Sequence, residues 1–397
     1  MSATESLVVR PVASKRDLKE FIELPFRLHG SSPDSKWVPP LRLERKLFLS
    51  KKQNPFFTHG EAEYFLAERG GQVVGRITAQ IDHAFNEYHG NTWGMFGFLE
   101  FENDQAILDA LLKAAGDWLR EKGRERMVGP MDFQMNNESG VLIEGYDIKP
   151  MLIQPWHPPY YRERVEEAGL TKAMDLLMWS LTIDDREAVH PAIFEAADKA
   201  ESEHGLHLEK ITRRSLSKDY KGAFRELFNA AWSKNWGYVP YSDADIKALA
   251  EESQLVWSKE WMMKAVNKDG KIVGMAITIP DLNQVLEKMN GKVNIFTLRH
   301  FLFGRRKIDR IRVGFLGVRP EDQHTGAAAL LYREHFEAAH RTPVRTGEMG
   351  WILETNKPMN WAMQGMNGKV VKRYRVYEQV LQDGVEPLPA PIPWDQQ

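Results

Sequence analysis

The sequence predicts a mixed α/β protein with two tandem domains, and three observations support this fold class. The chain has 397 residues, which exceeds one average domain and suits two, each with its own core. The order hairpin, strand, helix, strand, helix occurs twice. Charged residues with His190 and Pro191 interrupt the pattern between the two passages. We therefore expect domains at residues 1–186 and 187–384, each a mixed, mostly antiparallel sheet flanked by helices, and a Pro-rich tail at 385–397.

The first passage contains a predicted hairpin around Gly70 and Gly71. Apolar and polar residues alternate at 63–68 and 73–81 on either side of this Gly-Gly turn, which is typical of two paired strands. A second apolar run at 93–98 precedes a helix, predicted from apolar residues at helical spacing between Ile107 and Leu119.

The second passage has the same order with a different connection. Runs at 261–266 and 271–279 flank the turn at 267–270 and predict a second hairpin. The next strand is predicted at 311–317, and a helical pattern then continues to about His340. The turn between that strand and that helix contains Gln323, Gly326 and Ala328, in the spacing Q-x-x-G-x-A.

This turn has the properties of a phosphate-binding loop. Small residues let the backbone approach a ligand closely, and a helix N-terminus directs N–H groups without helical partners at an anion. The alternative is an ordinary strand-to-helix connection that contains a glycine. In the first passage the helix begins at residues 103–105 without such glycines, and Glu100, Glu102 and Asp104 add negative charge there. We therefore expect phosphate binding in the second half alone.

The loop resembles the pyrophosphate loop of the GNAT superfamily of acyl-CoA-dependent N-acyltransferases. The resemblance implies acyl-CoA as a co-substrate and no permanently bound cofactor. It also implies that the pantetheine arm lies between the strand at 311–317 and the next strand near 348–353. The residues expected to hold acyl-CoA are Leu316, Gly317, Val318, Gln323, His324, Thr325, Gly326, Ala327, Ala328 and Asn356.

Further segments resemble a group of double-GNAT bacterial proteins that includes the bacterial ceramide synthases. They include residues 348–356, residues 372–378 and residues 279–283. Membership implies transfer of a long-chain acyl group from acyl-CoA to the amino group of a sphingoid base or related lipid amine. The alternatives are a different small amine, an aminoacyl or peptidyl substrate, and an acyl-CoA-binding regulator without catalysis.

Amide formation needs a base within hydrogen-bond reach of the attacking amine. Glu354 is the first candidate because it ends the second of the two strands, and Asp281 is the alternative. Where the family often has a proton-donating tyrosine, this chain has Met363 or Trp361, so Tyr377 becomes a candidate acid, with Tyr374 as the alternative. A strand-end carboxylate, a turn residue and a core aromatic are the corresponding structural interpretations.

Composition excludes other chemistries. A net charge of −2 argues against nucleic acid as the main partner, and the absence of cysteine excludes thiolate nucleophiles. The histidines show no metal-ligand spacing, so no metal is expected. Residues 1–16 lack an apolar core and no apolar run reaches about 18 residues, so we expect a cytoplasmic protein. Residues 293–307 combine bulky apolar and basic side chains. They indicate either contact with an anionic inner-membrane surface or a packed helix followed by a charged turn.

Overall fold

The computed structural model of the chain describes residues 6–30, 32–187 and 189–397. The strands of this part, in chain order, are β1 (Leu7–Pro11), β2 (Gly60–Arg69), β3 (Gln72–Asp82), β4 (Gly94–Phe101), β5 (Arg126–Gly129), β6 (Val141–Glu144), β7 (Thr171–Thr182), β8 (His207–Lys210), β9 (Met262–Val266), β10 (Ile272–Pro280), β11 (Arg310–Val318), β12 (Thr346–Leu353) and β13 (Lys369–Val380). The α-helices are α1 (Lys15–His29), α2 (Arg42–Phe48), α3 (His83–His89), α4 (Gln105–Glu121), α5 (Tyr160–Glu167), α6 (Ala192–Ser202), α7 (Leu216–Asp219), α8 (Arg225–Trp232), α9 (Asp243–Val256), α10 (Asn283–Met289), α11 (Ile295–Gly304), α12 (Ala327–His340) and α13 (Lys357–Gly365).

The chain forms two compact units that exchange segments. The first unit comprises Met1–Leu176, Met289–Asn294 and Lys372–Ile392, and the second comprises Leu177–Lys288, Ile295–Val371 and Pro393–Gln397. The chain therefore passes into the second unit within β7, and it returns to the first unit within β13. The domain limits expected from the sequence, after residues 186 and 384, remain predictions.

The first unit contains a mixed sheet in the order β1-β2-β3-β4-β5-β13, with β6 also paired to β13. Its strand pairs are antiparallel except β4 with β5, which is parallel. Helix α4 buries an apolar stripe that includes Ile107, Leu111 and Leu119 in one core. Helix α1 buries Phe21 and Leu24 in another. Helical spacing of apolar residues thus explains why both helices pack.

The second unit has strand order β7-β12-β11-β10-β9-β8. The β11–β12 pair is parallel, whereas β10 is antiparallel to both β9 and β11. Both hairpins predicted from the Gly-Gly turn and the Asn267 to Gly270 turn are present as β2–β3 and β9–β10. The predicted mixed fold with flanking helices is confirmed.

A bulge in β11 changes which side chains face each helix layer. The register with β10 shifts where Val313 pairs with Thr278 and Phe315 pairs with Ile277, so Gly314 is the extra residue. Ile311 and Val313 belong to a core with α12 side chains, and Phe315 belongs to the core formed by α7, α8 and α9. Beyond Phe315 the side chains alternate again, and Val318 is buried on the α12 side.

Candidate active site

The β11–β12 pair of the second unit opens at one end. Its parallel ladder runs from the Arg310–Thr346 pair to the Val313–Met349 pair and ends there. Both strands nevertheless continue, to Val318 and to Leu353. We call the space between residues 314–318 and residues 350–353 the fork, and its closed end is the Val313–Met349 pair. Since β11 keeps its pairing with β10 on the other edge, one edge of β11 faces the fork.

The predicted phosphate loop leads from β11 to α12. A 3₁₀ turn at Pro320–Thr325 is followed by Gly326, whose φ of 78° is left-handed, and by the first residue of α12, Ala327. No side chain caps this helix N-terminus, so its first N–H groups have no capping partner. The side chains of Gln323 and His324 are exposed beside it. Strand, loop and helix therefore lie in the predicted order, while acyl-CoA binding itself stays a prediction.

Four residues of the loop and of the first turn of α12 have structural roles. The Thr325 hydroxyl is buried and donates to the Asp322 carbonyl oxygen at 2.6 Å. Ala327 is fully buried and Ala328 is partly buried against the core. A Cβ added to Gly326 would lie 2.5 Å from the Ala196 carbonyl oxygen of α6. The glycine is thus required by its left-handed φ and by the packing of α6, independently of any ligand.

Two buried glutamates lie at opposite ends of the fork. Glu348 precedes Met349 at the closed end, and Glu354 follows β12 at the open end. They are six positions apart along the chain, which is roughly 20 Å if fully extended. The Glu354 carbonyl oxygen accepts a bond from the Trp394 N–H at 2.7 Å. In the sequence, Glu348 belongs to a segment that resembles the family, but no role was predicted for it. Its position becomes informative only in the structure, because the parallel ladder ends beside it.

Glu348 belongs to a buried cluster of two acidic and two basic side chains, which we call the charged cluster: Asp281, Arg310, Arg312 and Glu348. Arg310 Nη2 donates to Asp281 Oδ2 at 2.6 Å, and Arg312 Nη2 donates to the Gly350 carbonyl oxygen at 3.2 Å. Burial raises the pKa of Asp281, the Arg310 charge lowers it, and the Glu348 charge adds to the rise. Asp281 therefore lies in an ion pair, which gives it a structural role at the start of β11.

Asn356 and Asn360 organise the connection from β12 to α13. The Asn356 side chain accepts the Met359 N–H at 3.3 Å and so caps α13. The fully buried Asn360 accepts from Trp179 Nε1 at 2.8 Å and donates to the Leu353 carbonyl oxygen at 3.0 Å. Sequence reasoning missed Asn360, which ties β7 to the end of β12 and positions the segment that contains Glu354.

The candidate acid Tyr377 lies in the first unit, whereas the residues that define the fork lie in the second. Its hydroxyl donates to Glu166 Oε1 at 3.1 Å. Burial and the Glu166 charge raise the pKa of Tyr377 well above its usual value. In the second unit, Met363 is fully buried and Trp361 is exposed on α13. Tyr377 as the proton donor remains a prediction.

A small apolar pocket with a cavity volume of about 30 Å³, partly open to solvent, borders the closed end of the fork. Val313 and Met349, the last ladder pair, lie in its wall. The other lining side chains come from β7, β11, α12 and the end of α13, and they include Leu181, Ile183, Ile311, Tyr332, Phe336 and Met366. Its polar neighbour His335 is buried, and its Nε2 lies 2.8 Å from the Thr278 hydroxyl. The closed end of the fork is therefore bordered by apolar side chains.

In the first unit, the corresponding parallel pair is closed by the chain itself. The β4–β5 ladder contains the pairs Gly94–Met127 and Met95–Val128. After it, the Met131 N–H donates to the Phe96 carbonyl oxygen at 2.7 Å, and the Phe98 N–H donates to Asp132 Oδ1 at 2.8 Å. Farther along β4, the Tyr161 hydroxyl accepts from the Phe101 N–H and the Tyr160 hydroxyl donates to the Phe101 carbonyl oxygen.

The helix that follows β4 has a capped N-terminus. The Asp104 side chain accepts the Ala106 N–H at 2.9 Å and pairs with Arg69 at 2.7 Å. Negative charge was predicted at the N-terminus of the helix that follows β4. Asp104 lies there, but Glu100 does not. Its carboxylate is buried against His29, 2.7 Å away, and accepts from the Tyr161 hydroxyl at 2.6 Å. The expectation that Glu100 faces a phosphate position was wrong, because both faces of β4 are buried and the Glu100 carboxylate is held inside by His29 and Tyr161.

Among the described residues, no group of three or more His, Asp or Glu side chains is placed to hold a metal ion. The carboxylates and histidines above are instead engaged in ion pairs and hydrogen bonds with neighbouring side chains.

The mixed sheets of the two units form a fold that is shared with solved tandem GNAT structures. Among solved structures, the chain is similar to a tandem GNAT protein from the clavulanic acid biosynthesis pathway. The two have a TM-score of 0.55 and 14% identity, covering 96% of this chain and all of that one. A GCN5-related N-acetyltransferase from Sphaerobacter thermophilus gives a TM-score of 0.52 at 13% identity, covering 96% and 98%. At these low sequence identities, the two similarities show the fold of the chain and nothing about its substrates.

The sequence comparisons show the family. The chain is 34% identical over 394 residues to the bacterial ceramide synthase of Caulobacter vibrioides (strain NA1000 / CB15N), covering 96% of this chain and 99% of that protein. It is 32% identical over 378 residues to Protein YghO of Escherichia coli (strain K12), covering 94% and 95%. No family model matches the chain. The chain belongs to the family of the bacterial ceramide synthase and is an acyltransferase, so the predicted resemblance is confirmed.

Proposed function

We propose that the chain transfers a long-chain fatty acyl group from acyl-CoA to the amino group of a sphingoid base or related lipid amine. The observation that carries this proposal is the 34% identity to a bacterial ceramide synthase, which extends over 96% of the chain. The fork and the uncapped N-terminus of α12 lie in the second unit and support the proposal, because acyl-CoA would bind there.

The loop and the fork together set the direction of the bound acyl-CoA. Its phosphates would lie at the N-terminus of α12, because helix N–H groups and their dipole favour anions. Its arm would run along β11 from Val318 to Leu316 and bond to the edge that faces the fork. The thioester then arrives at the closed end, beside Val313 and Met349. On this placement the carboxylate nearest to the reacting carbon is Glu348 rather than Glu354.

The reaction at that position needs one base and one hydrogen-bond donor for the oxyanion. The neutral amine nitrogen attacks the thioester carbonyl carbon, the C–N bond forms, and the C–S bond breaks. The ammonium proton passes to a carboxylate, and the thiolate of CoA leaves and is protonated to the thiol. We propose Glu348 as the base, and the β11 edge near Gly314 supplies N–H groups to the oxyanion. Glu354 and Asp281 stay as alternative bases.

The apolar lining of the pocket supports an acyl group at this position. Its cavity volume of about 30 Å³ is well below the roughly 300–1,000 Å³ that is usual for ligand pockets, so a long acyl chain would have to displace lining side chains. Each methylene removed from water contributes about 0.8 kcal/mol. A chain that enters beside Val313 and Met349 leaves its thioester at the closed end of the fork, so one position serves both the chemistry and chain binding.

The test is a matrix of acyl donors and amine acceptors with the purified chain. Donors run from acetyl-CoA to palmitoyl-CoA, and acceptors are a sphingoid base and a soluble short diamine. Thiol release gives the rate and mass spectrometry identifies the N-acyl product. We expect the fastest turnover with a long-chain donor and the sphingoid base. Preference for acetyl-CoA and the soluble diamine would contradict the substrate assignment, and acyl-CoA binding without turnover on any amine would indicate a regulator.

A further inference from the structure

Helix α11 presents an apolar surface to solvent. Ile295, Phe296 and Phe303 are 82%, 77% and 64% exposed, and Leu298 and Leu302 are exposed as well. At 100° per residue these five side chains occupy one broad side of the helix, which we call the outer face. Contiguous exposed apolar surfaces of this kind mark interaction sites, whereas isolated exposed apolar residues are ordinary.

The opposite side of α11 is the one that contacts the protein. Thr297, Phe301 and Gly304 are only partly exposed. Val285 of α10 lies 3.1 Å from the position of a Cβ on Gly304, and Arg305 donates to the Trp257 carbonyl oxygen at 3.2 Å. Helix α11 is therefore apolar on its outer face as well as at Phe301 on its inner side, whereas a surface helix usually has a polar outer side.

Basic residues accompany the outer face. Arg299 lies within it, and Arg306 and Lys307 are exposed directly after the helix. The chain as a whole has a net charge of −2, so this basic group is a local feature and not a consequence of overall charge. A bulky apolar face bordered by arginine and lysine is complementary to a lipid surface with anionic headgroups, which accepts apolar side chains and attracts cations.

We propose that the outer face of α11 inserts into the headgroup region of an anionic bilayer, with Arg299, Arg306 and Lys307 in contact with lipid phosphates. No helix in the described part of the chain is long and apolar enough to cross a membrane. Contact through this face is independent of acyl transfer, so vesicle binding and turnover can fail separately.

The experiment measures cosedimentation of the full chain with vesicles of phosphatidylcholine alone and of phosphatidylcholine with one third phosphatidylglycerol. The wild type should bind the anionic vesicles, and added salt should weaken binding. The triple variant Ile295→Ser, Phe296→Ser, Phe303→Ser should lose at least about tenfold in affinity, because three inserting side chains become polar. The double variant Arg306→Glu, Lys307→Glu should lose about tenfold and bind both vesicle types equally.

The controls use exposed apolar and exposed basic residues elsewhere in the chain. Leu255 and Leu43 are 68% and 57% exposed, and their replacement by serine should leave vesicle binding unchanged. Lys113 and Lys247, with 74% and 70% exposed side chains, serve as the charge-reversal controls. Equal vesicle binding by the wild type and the triple variant would overturn the proposal. So would concentration-dependent self-association that the triple variant abolishes, since a second copy would then cover this face.

Discussion

Each unit contains a parallel strand pair followed by a helix, which we call a junction, and the two junctions differ in whether the protein itself fills the space after the ladder. In the first unit, Met131 and Asp132 bond to β4 immediately after its ladder with β5, and two tyrosine hydroxyls bond to Phe101 farther along. In the second unit, the ladder between β11 and β12 ends at Val313 and Met349. The first junction is therefore closed by protein groups, and the second leaves a strand edge that faces a gap.

The helices that follow differ in the same sense. Asp104 caps α4 with its own carboxylate, whereas α12 begins at Gly326 without a side-chain cap. Backbone groups need partners, and a protein supplies them either from its own side chains or from a ligand. In the first unit, the protein's own groups therefore bond to the strand edge and cap the helix. In the second unit, the corresponding positions are left for a ligand.

The largest expected effect separates the two glutamates of the fork. Glu348→Gln should lower turnover by roughly 10²-fold to 10⁴-fold, the range for loss of a general base, and should leave acyl-CoA affinity unchanged. Glu354→Gln should have a much smaller effect, because this residue lies at the open end. Steady-state rates and calorimetric titration with acyl-CoA measure both quantities.

Glu100→Gln is the control in the first unit, since it also removes the charge of a buried carboxylate. It should reduce thermal stability without changing turnover per folded molecule. If Glu354→Gln were inactive and Glu348→Gln active, the base would be the residue predicted from the sequence. The acyl-CoA direction proposed for the fork would then be wrong.

The pattern of residues was sufficient to predict the sheets, the hairpins and the strand-loop-helix order around Gly326. Local spacing determines these features, because turn glycines and apolar periodicity act within a few residues. It was insufficient for Glu348, whose importance depends on where the ladder with β11 ends. The same holds for Asp132, which lies 34 positions from Phe98 in the chain but bonds to its N–H. Contacts distant in sequence carry no periodic signal, so the closure of the first junction was out of reach.

A second prediction concerns one buried histidine in each unit. Burial lowers the pKa of His157 in the first unit and of His335 in the second unit from the ordinary 6.5 to about 4. At a pH between about 4 and 6.5, each of these histidines is protonated in the unfolded chain and neutral in the folded chain. The free energy of unfolding therefore falls as the pH drops, by about 2 kcal/mol per histidine from about pH 7 to about pH 5.

Urea titrations at the two pH values test this comparison. His157→Gln and His335→Gln should each remove about half of the combined loss, because glutamine does not titrate. His335→Gln should act on the second unit and His157→Gln on the first, as reported by tryptophan fluorescence and hydrogen exchange. A loss of the same size in the double variant would show that other groups cause it.

A third and smaller effect is expected at the loop. Gln323→Glu with His324→Glu adds two negative charges at exposed positions beside the N-terminus of α12. Acyl-CoA affinity should fall about tenfold at low salt and less at high salt, since exposed charges are screened. These positions are preferable to Gly326, where any side chain meets α6. Lys113→Glu on α4 adds comparable charge far from the loop along the chain, and it should leave affinity unchanged.

For the last variant we expect no change in the number of acyl-CoA molecules bound, and this result tests the closed junction in the first unit. Asp104→Asn removes the negative charge from the N-terminus of α4 and keeps a good capping side chain, so the fold should persist. If charge alone prevented the first unit from binding acyl-CoA, this variant would gain a second site. We expect calorimetric stoichiometry to stay at one acyl-CoA per chain, because the edge of β4 is already bonded to Met131, Asp132 and the two tyrosines. A stoichiometry near two would mean that this edge opens readily, and the contrast between the units would then rest on electrostatics alone.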